Sequence, residues 1–226
     1  VEVSERSLCE SADHTSWSDC MGKYEYINGD AIFGEWKNGA SLNGTSLYAD
    51  GSTYFGEYSE VGDAHGQGFL LHGLDSQYAG DEFLGDFDQR SLTYGEYTTS
   101  DGDVFTGSMV DGKEHGSGTY VFGSGSPSAG HIMIGTFDQG SFVRGIYFFS
   151  DGAVYVGEAK NATYHGRGTF IYRDGSVLEG FWDDNEFIRE EIISGLGIGL
   201  CDQNIDENSW SDCIAVSYTH LRAHET

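Results

Sequence analysis

Apolar and polar residues alternate along most of the chain, and glycine punctuates the alternation. In GKYEYINGDAIFGEW, residues 22–36, Tyr24 and Tyr26 alternate with charged neighbours, the pattern of a half-buried strand. Asn28-Gly29 then predicts a tight type I′ turn, whose two central positions both need positive φ. A second strand follows with Ile32, Gly34 and Trp36 on one face, completing a predicted β-hairpin. The same punctuation returns at Asp50-Gly51, Asp101-Gly102, Asp151-Gly152 and Asp174-Gly175. Same-face triplets follow, such as Tyr54-Gly56-Tyr58, Phe83-Gly85-Phe87, Phe105-Gly107-Met109, Met133-Gly135-Phe137, Tyr155-Gly157-Ala159 and Leu178-Gly180-Trp182.

The glycines form a lattice. Steps between the inner glycines Gly34, Gly56, Gly85, Gly107, Gly135 and Gly157 are 22, 29, 22, 28 and 22 residues. Fixed-period self-similarity predicts a repeat architecture, here built of successive β-hairpins. The extra residues fall near Leu74–Asp81 and Ser124–Gly130, which predicts longer loops projecting at every second hairpin. A mid-strand glycine is entropically unfavourable but leaves a gap where a neighbouring strand's ring lies against backbone. Valine at Gly56 or Gly107 is expected to displace those rings.

The segments FGEW with KNG, YFGEY, HGQG, HGSGTYVF, YVGE and HGRGTFIYRDG resemble MORN (membrane occupation and recognition nexus) repeats, with about seven copies over 21–188. The resemblance implies an all-β fold, an elongated single-layer antiparallel sheet of successive hairpins, acting as a scaffold, a dimerisation surface or a partner-binding module. Lipid binding is the family's historical label. Lys and Arg total only 11 against 37 Asp and Glu, and the net charge is −26, so basic residues common in such repeats are scarce. That charge argues against nucleic acid and anionic membranes as partners.

A longer duplication frames the array. LCESADHTSWSDC at 8–20 returns as LCDQNIDENSWSDC at 200–213. It favours two small disulfide loops, Cys9–Cys20 and Cys201–Cys213, the first fastening a cap to the sheet edge. The rival is zinc, whose ligand pairs prefer two to four intervening residues, where these have 10 and 11. Disulfides imply export, to a periplasmic or extracellular space. The expected organisation is a cap over 1–20, the array over 21–188, a connector over 189–200, a second cysteine motif over 201–215 and a tail over 216–226. That tail, VSYTHLRAHET, resembles a translated sequencing-library adapter, and the duplication predicts a second array beyond residue 215.

Reactive chemistry finds little support. His65, His115 and His165 sit 50 residues apart in His-Gly-x-Gly. Four strands at about 4.8 Å set them roughly 19 Å apart, too far to share an ion. Glu35, Glu57, Asp86, Glu158 and Glu179 adjoin the glycine series and read as a polar strand face rather than acid/base pairs. No catalytic group, metal site or cofactor is expected. The expected function is a non-catalytic module that binds a protein partner or a second copy of itself. Its expected face is Trp36, Tyr54, Tyr58, Tyr97, Tyr120 and Tyr155. Those rings have a second reading, packing on one another within the sheet. Alternatives for the function are a polysaccharide-binding surface and an accessory module of an enzyme.

Overall fold

Fifteen antiparallel strands follow one another in a single open sheet, each hydrogen-bonded to its neighbours in sequence. They are β1 (Cys20–Glu25), β2 (Ala31–Lys37), β3 (Ala40–Leu47), β4 (Thr53–Tyr58), β5 (Ala64–Leu71), β6 (Glu82–Asp88), β7 (Ser91–Thr98), β8 (Val104–Val110), β9 (Lys113–Val121), β10 (Ile132–Asp138), β11 (Ser141–Phe148), β12 (Val154–Lys160), β13 (Thr163–Ile171), β14 (Val177–Asp183) and β15 (Glu186–Glu190). The computed structural model describes residues 7–190, with the backbone of 199–200 and 213–214, which form a separate parallel pairing. The all-β architecture of successive hairpins agrees with the sequence pattern. The Cys201–Cys213 bridge, the remainder of the motif over 201–215 and the adapter-like tail lie outside the described residues. So does 191–198 of the expected connector.

The glycine lattice becomes a ladder across the sheet. One glycine from each strand, from Gly22 in β1 to Gly180 in β14, stands opposite the glycine of the next. Rings two residues before the ladder lie across it. A Cβ added to Gly68 would meet Tyr54 Cε2 at 2.5 Å, and one on Gly118 would meet Phe105 Cε2 at 2.4 Å. On Gly168 it would meet Tyr155 Oη at 2.2 Å. Each ring covers the glycine of its own strand and that of the following one, so the gap is shared by two strands. The rings also meet each other edge to face across alternate strands. Centroids are 5.0 Å apart for Tyr54 and Phe87, 5.2 Å for Phe105 and Phe137, and 5.9 Å for Tyr155 and Trp182. Such contacts add to the apolar burial.

Turn chemistry differs from the expectation. At Asn28-Gly29 and the four Asp-Gly pairs only the glycine has positive φ. The Gly29 N–H donates to Tyr26 O and the Tyr26 N–H to Asp30 O, the pattern of a three-residue loop with a glycine bulge. Turns with two positive-φ residues lie at the opposite edge, at Asn38-Gly39, Gln89-Arg90, Asp111-Gly112, Gln139-Gly140, Asn161-Ala162 and Asp184-Asn185. There the right-handed twist of two strands joined by two residues selects the mirror-image turn. Ala162 holds φ +62°, a region unfavourable to a residue with a Cβ. Ala162→Gly is therefore expected to raise stability by about 0.5–1 kcal/mol in urea unfolding. An unchanged or lowered midpoint would contradict this account of the turn.

The longer loops do not project freely. The Gly73 N–H donates to Ser52 Oγ at 2.9 Å and the Asp75 N–H to Asp50 O at 3.3 Å. The Gly123 N–H donates to Asp103 Oδ1 at 2.8 Å and the Gly125 N–H to Asp101 O at 3.1 Å. Each loop is thus tied back onto the preceding turn. At the first edge the disulfide Cys9–Cys20 holds residues 7–19 against β1. Met21 exchanges backbone hydrogen bonds with Ser7 and Cys9, and Trp17 lies over Gly22 and meets Trp36 at 5.0 Å. This cap pairs part of an edge that would otherwise present free N–H and C=O groups.

Candidate interaction groove

On the ring face, a second row of side chains runs beside the turns of that opposite edge. Its members face each other across each hairpin: Trp36 and Ser41, Tyr58 and Ala64, Phe87 and Leu92, Met109 and Glu114, Phe137 and Phe142, Ala159 and Tyr164, Trp182 and Phe187. The first member of each pair is large and apolar, except for Ala159. The second member is uncharged, except for Glu114. Both exceptions line the same cavity.

That cavity has a volume of about 590 Å³. It opens between β10 and β12 because neither of the residues two before and two after the ladder glycines is aromatic there; Met133 and Ala159 stand in those places. The corresponding pairs Tyr54 and Phe87, Phe105 and Phe137, and Tyr155 and Trp182 are all rings, and Ile32 with Tyr58 and Phe83 with Met109 each include one. Tyr164 fills part of the space by stacking on Tyr155, with centroids 4.2 Å apart, and Phe142 leans on Phe137 at 5.5 Å. Tyr120 and Tyr147 add two half-buried rings, and Asn161 and Ala162 form the rim. Burial pushes the phenols of Tyr120, Tyr147, Tyr155 and Tyr164 above their ordinary value, keeping them neutral. For Tyr120 the second cause is its hydrogen bond to Asp103.

The expected interaction face is largely consumed by the fold. Trp36, Tyr54, Tyr58 and Tyr155 are all under 8% exposed. The Trp36 Nε1–H donates to Gly22 O at 3.0 Å, the Tyr54 and Tyr155 hydroxyls donate to Glu57 O and Glu158 O at 2.7 Å, and Tyr58 shares a hydrogen bond with Ser46. Each of these four packs on neighbouring rings, Trp36 on Trp17, Tyr54 on Tyr58 and Phe87, and Tyr155 on Tyr164 and Trp182, the second of the two readings. Tyr97 and Tyr120 are half-buried, and their hydroxyls donate to Asp81 at 2.6 Å and Asp103 at 2.9 Å. Only Tyr120 and Tyr155 of the six line the cavity. Its other walls, Phe142, Tyr147 and Tyr164, were not among the sequence candidates. Their signal is the alanine that ends the triplet Tyr155-Gly157-Ala159, where a large side chain recurs in the other triplets.

The remaining candidates serve the sheet. His65, His115 and His165 each place Nδ1 beside an aspartate of the following strand: Asp88 at 3.3 Å, Asp138 at 3.2 Å and Asp183 at 3.0 Å. Among the described residues no group of three or more His, Cys, Asp or Glu is placed to hold a metal ion. Glu35, Glu57, Asp86, Glu158 and Glu179 lie next to ladder glycines, on the face away from the rings. Glu57 accepts the Gln67 N–H at 3.2 Å.

The repeated hairpin has a counterpart among known families. The MORN repeat model matches residues 105–126 and 155–177. These segments run from the ring of β8 into the loop after β9, and from the ring of β12 through β13 to the first residue of β14. No curated protein matches the sequence. Among solved structures, the chain is similar to a Drosophila melanogaster protein described as the SAS-4 (dCPAP) TCP domain in complex with a proline-rich motif of Ana2 (dSTIL). Identity is 13%, coverage is 80% of this chain and 93% of that one, and the TM-score is 0.43.

Proposed function

We propose that this chain is a non-catalytic interaction module of about seven MORN repeats over 21–188, and that it binds a protein partner on its ring face. The observation that carries the reading is the cavity between β9 and β13, where the repeat's own ring is missing. A partner side chain inserted there occupies the place of an aromatic residue and is sheltered by neighbouring rings, the setting of an interface anchor. The two MORN matches support a repeat-based interaction module. The Cys9–Cys20 bridge supports export into an oxidising compartment.

Peptide-display selection on the full chain tests this. Peptides enriched on the wild type are expected to bind the Ala159→Trp variant about tenfold more weakly or worse, because tryptophan restores the ring found at Trp36 and Trp182. Absence of enrichment, or equal binding to the filled variant, overturns the reading. Glycan-array binding lost in the same variant would replace it with the polysaccharide alternative.

A further inference from the structure

We propose that the cavity accepts the cationic tip of a basic side chain, lysine or arginine, from a protein partner. This rests on the reading of the cavity as a partner-binding site. Two independent departures from the row converge there. Ala159 supplies the space, and Glu114 supplies the only carboxylate among the lining residues. No Lys, Arg or His lines the cavity.

The position of Glu114 is informative. In the other hairpins its place is taken by Ser41, Ala64, Leu92, Phe142, Tyr164 or Phe187. A carboxylate on the ring face gives up hydration, an unfavourable choice for a side chain needed only to pack. Glu114 is half-buried opposite Met109 in β8, and a Cβ added to Gly140 would stand 3.3 Å from its Oε2. The carboxylate therefore stands beside the β10–β11 turn, next to Phe137 and Phe142 of the cavity wall. The large side chains that share the lining with it are mostly aromatic, and ring faces attract cations as the carboxylate does.

An apolar anchor would gain from the rings alone. A cation gains from the rings and from Glu114 together, and long stems of lysine and arginine bury well along apolar walls. A volume of 590 Å³ admits such a side chain with part of its backbone. At longer range, the net charge of −26 draws basic partners toward the molecule. An anionic or carboxylate-bearing anchor is disfavoured by the same terms.

The test uses the full chain and a set of capped five-residue peptides, identical except for a central lysine, arginine, trimethyl-lysine or norleucine. Binding is followed through the ring resonances of Tyr147 and Tyr164. The lysine or arginine peptide is expected to bind about tenfold more tightly than the norleucine peptide, as one or two ring contacts plus an ion pair would give. Glu114→Gln should remove most of that preference while leaving norleucine binding unchanged. This isosteric variant does not disturb packing, and the unchanged ring spectrum of the free protein checks that it folds. Equal binding of norleucine and lysine, or a preference that survives Glu114→Gln, overturns the cation assignment while leaving the partner site standing. Binding of free choline with no binding of any peptide overturns the side-chain source. Absence of enriched peptides in the earlier selection, or their equal binding to the Ala159→Trp variant, would instead remove the site itself.

Discussion

Gly56→Val is expected to lower the unfolding free energy by about 3 kcal/mol, at the upper end of overpacking effects. The first added carbon would stand 2.6 Å from Gln67 O, 2.6 Å from Gly68 Cα and 2.6 Å from Tyr54 Oη. Two of these atoms are backbone of the neighbouring strand, and a rotamer change does not move them. Tyr54 is also fixed, because its hydroxyl donates to Glu57 O and its ring meets Tyr58 at 5.2 Å and Phe87 at 5.0 Å. Strands β4 and β5 must therefore separate, or the ring must leave the ladder. Urea unfolding followed by circular dichroism measures the effect, and the ring signals of Tyr54 and Phe87 report where it falls. A valine variant as stable as the wild type would mean that the ladder is not the site of ring packing. Gly107→Val acts in the same way, against Phe105 Cζ at 2.7 Å and Ser117 O at 2.7 Å.

Alkali is expected to unfold the sheet in one step beginning above pH about 10. Burial raises the phenol of Tyr54 to about 12, and it raises Tyr58, Tyr97, Tyr120, Tyr155 and Tyr164 as well. Hydrogen bonds to Asp81 and Asp103 add to the rise at Tyr97 and Tyr120. The folded chain thus holds these protons more tightly than the unfolded chain does. Their contribution is fully present below the unfolded value near 10 and is lost as pH climbs toward the folded values. Tyrosinate absorbance and sheet signal, recorded together, are expected to change in concert. Phenols that ionise one by one near pH 10 with the sheet intact would show that the rings are open to solvent.

Much of this architecture was legible in the chain, and the reasons for the rest are specific. Glycine spacing gave the ladder because a period of two in strands preserves which face a residue occupies. Hairpin existence followed from Asn-Gly and Asp-Gly, but turn type did not. Gln89-Arg90 and Asp184-Asn185 carry no glycine, yet adopt positive φ at both residues because strand twist demands it. Ring burial was underestimated because an isolated layer suggests exposed rings. Here Phe83 is fully buried, its ring lying over Gly85 and over Gly95 of the next strand and against Phe87 of its own, which pairwise alternation does not reveal. The cavity was half visible. Ala159 breaks the series of large side chains, but linking it to Glu114, Phe142 and Tyr164 requires the bulges near the two-residue turns. The two-residue turns place residues five apart in opposition, as at Phe137 and Phe142 or Ala159 and Tyr164, and the register shifts offset these pairs from the glycine ladder.

Tyr54, Phe105 and Tyr155 mark a spacing of 51 and then 50 residues, one ring for every four strands. Backbone hydrogen bonds within the sheet join only consecutive strands. Whole four-strand modules are thus interchangeable lengths of the same fabric, each adding about 19 Å of span. Reach and recognition are separable in such a molecule: copy number determines how far it extends, and a single irregular module determines what it holds.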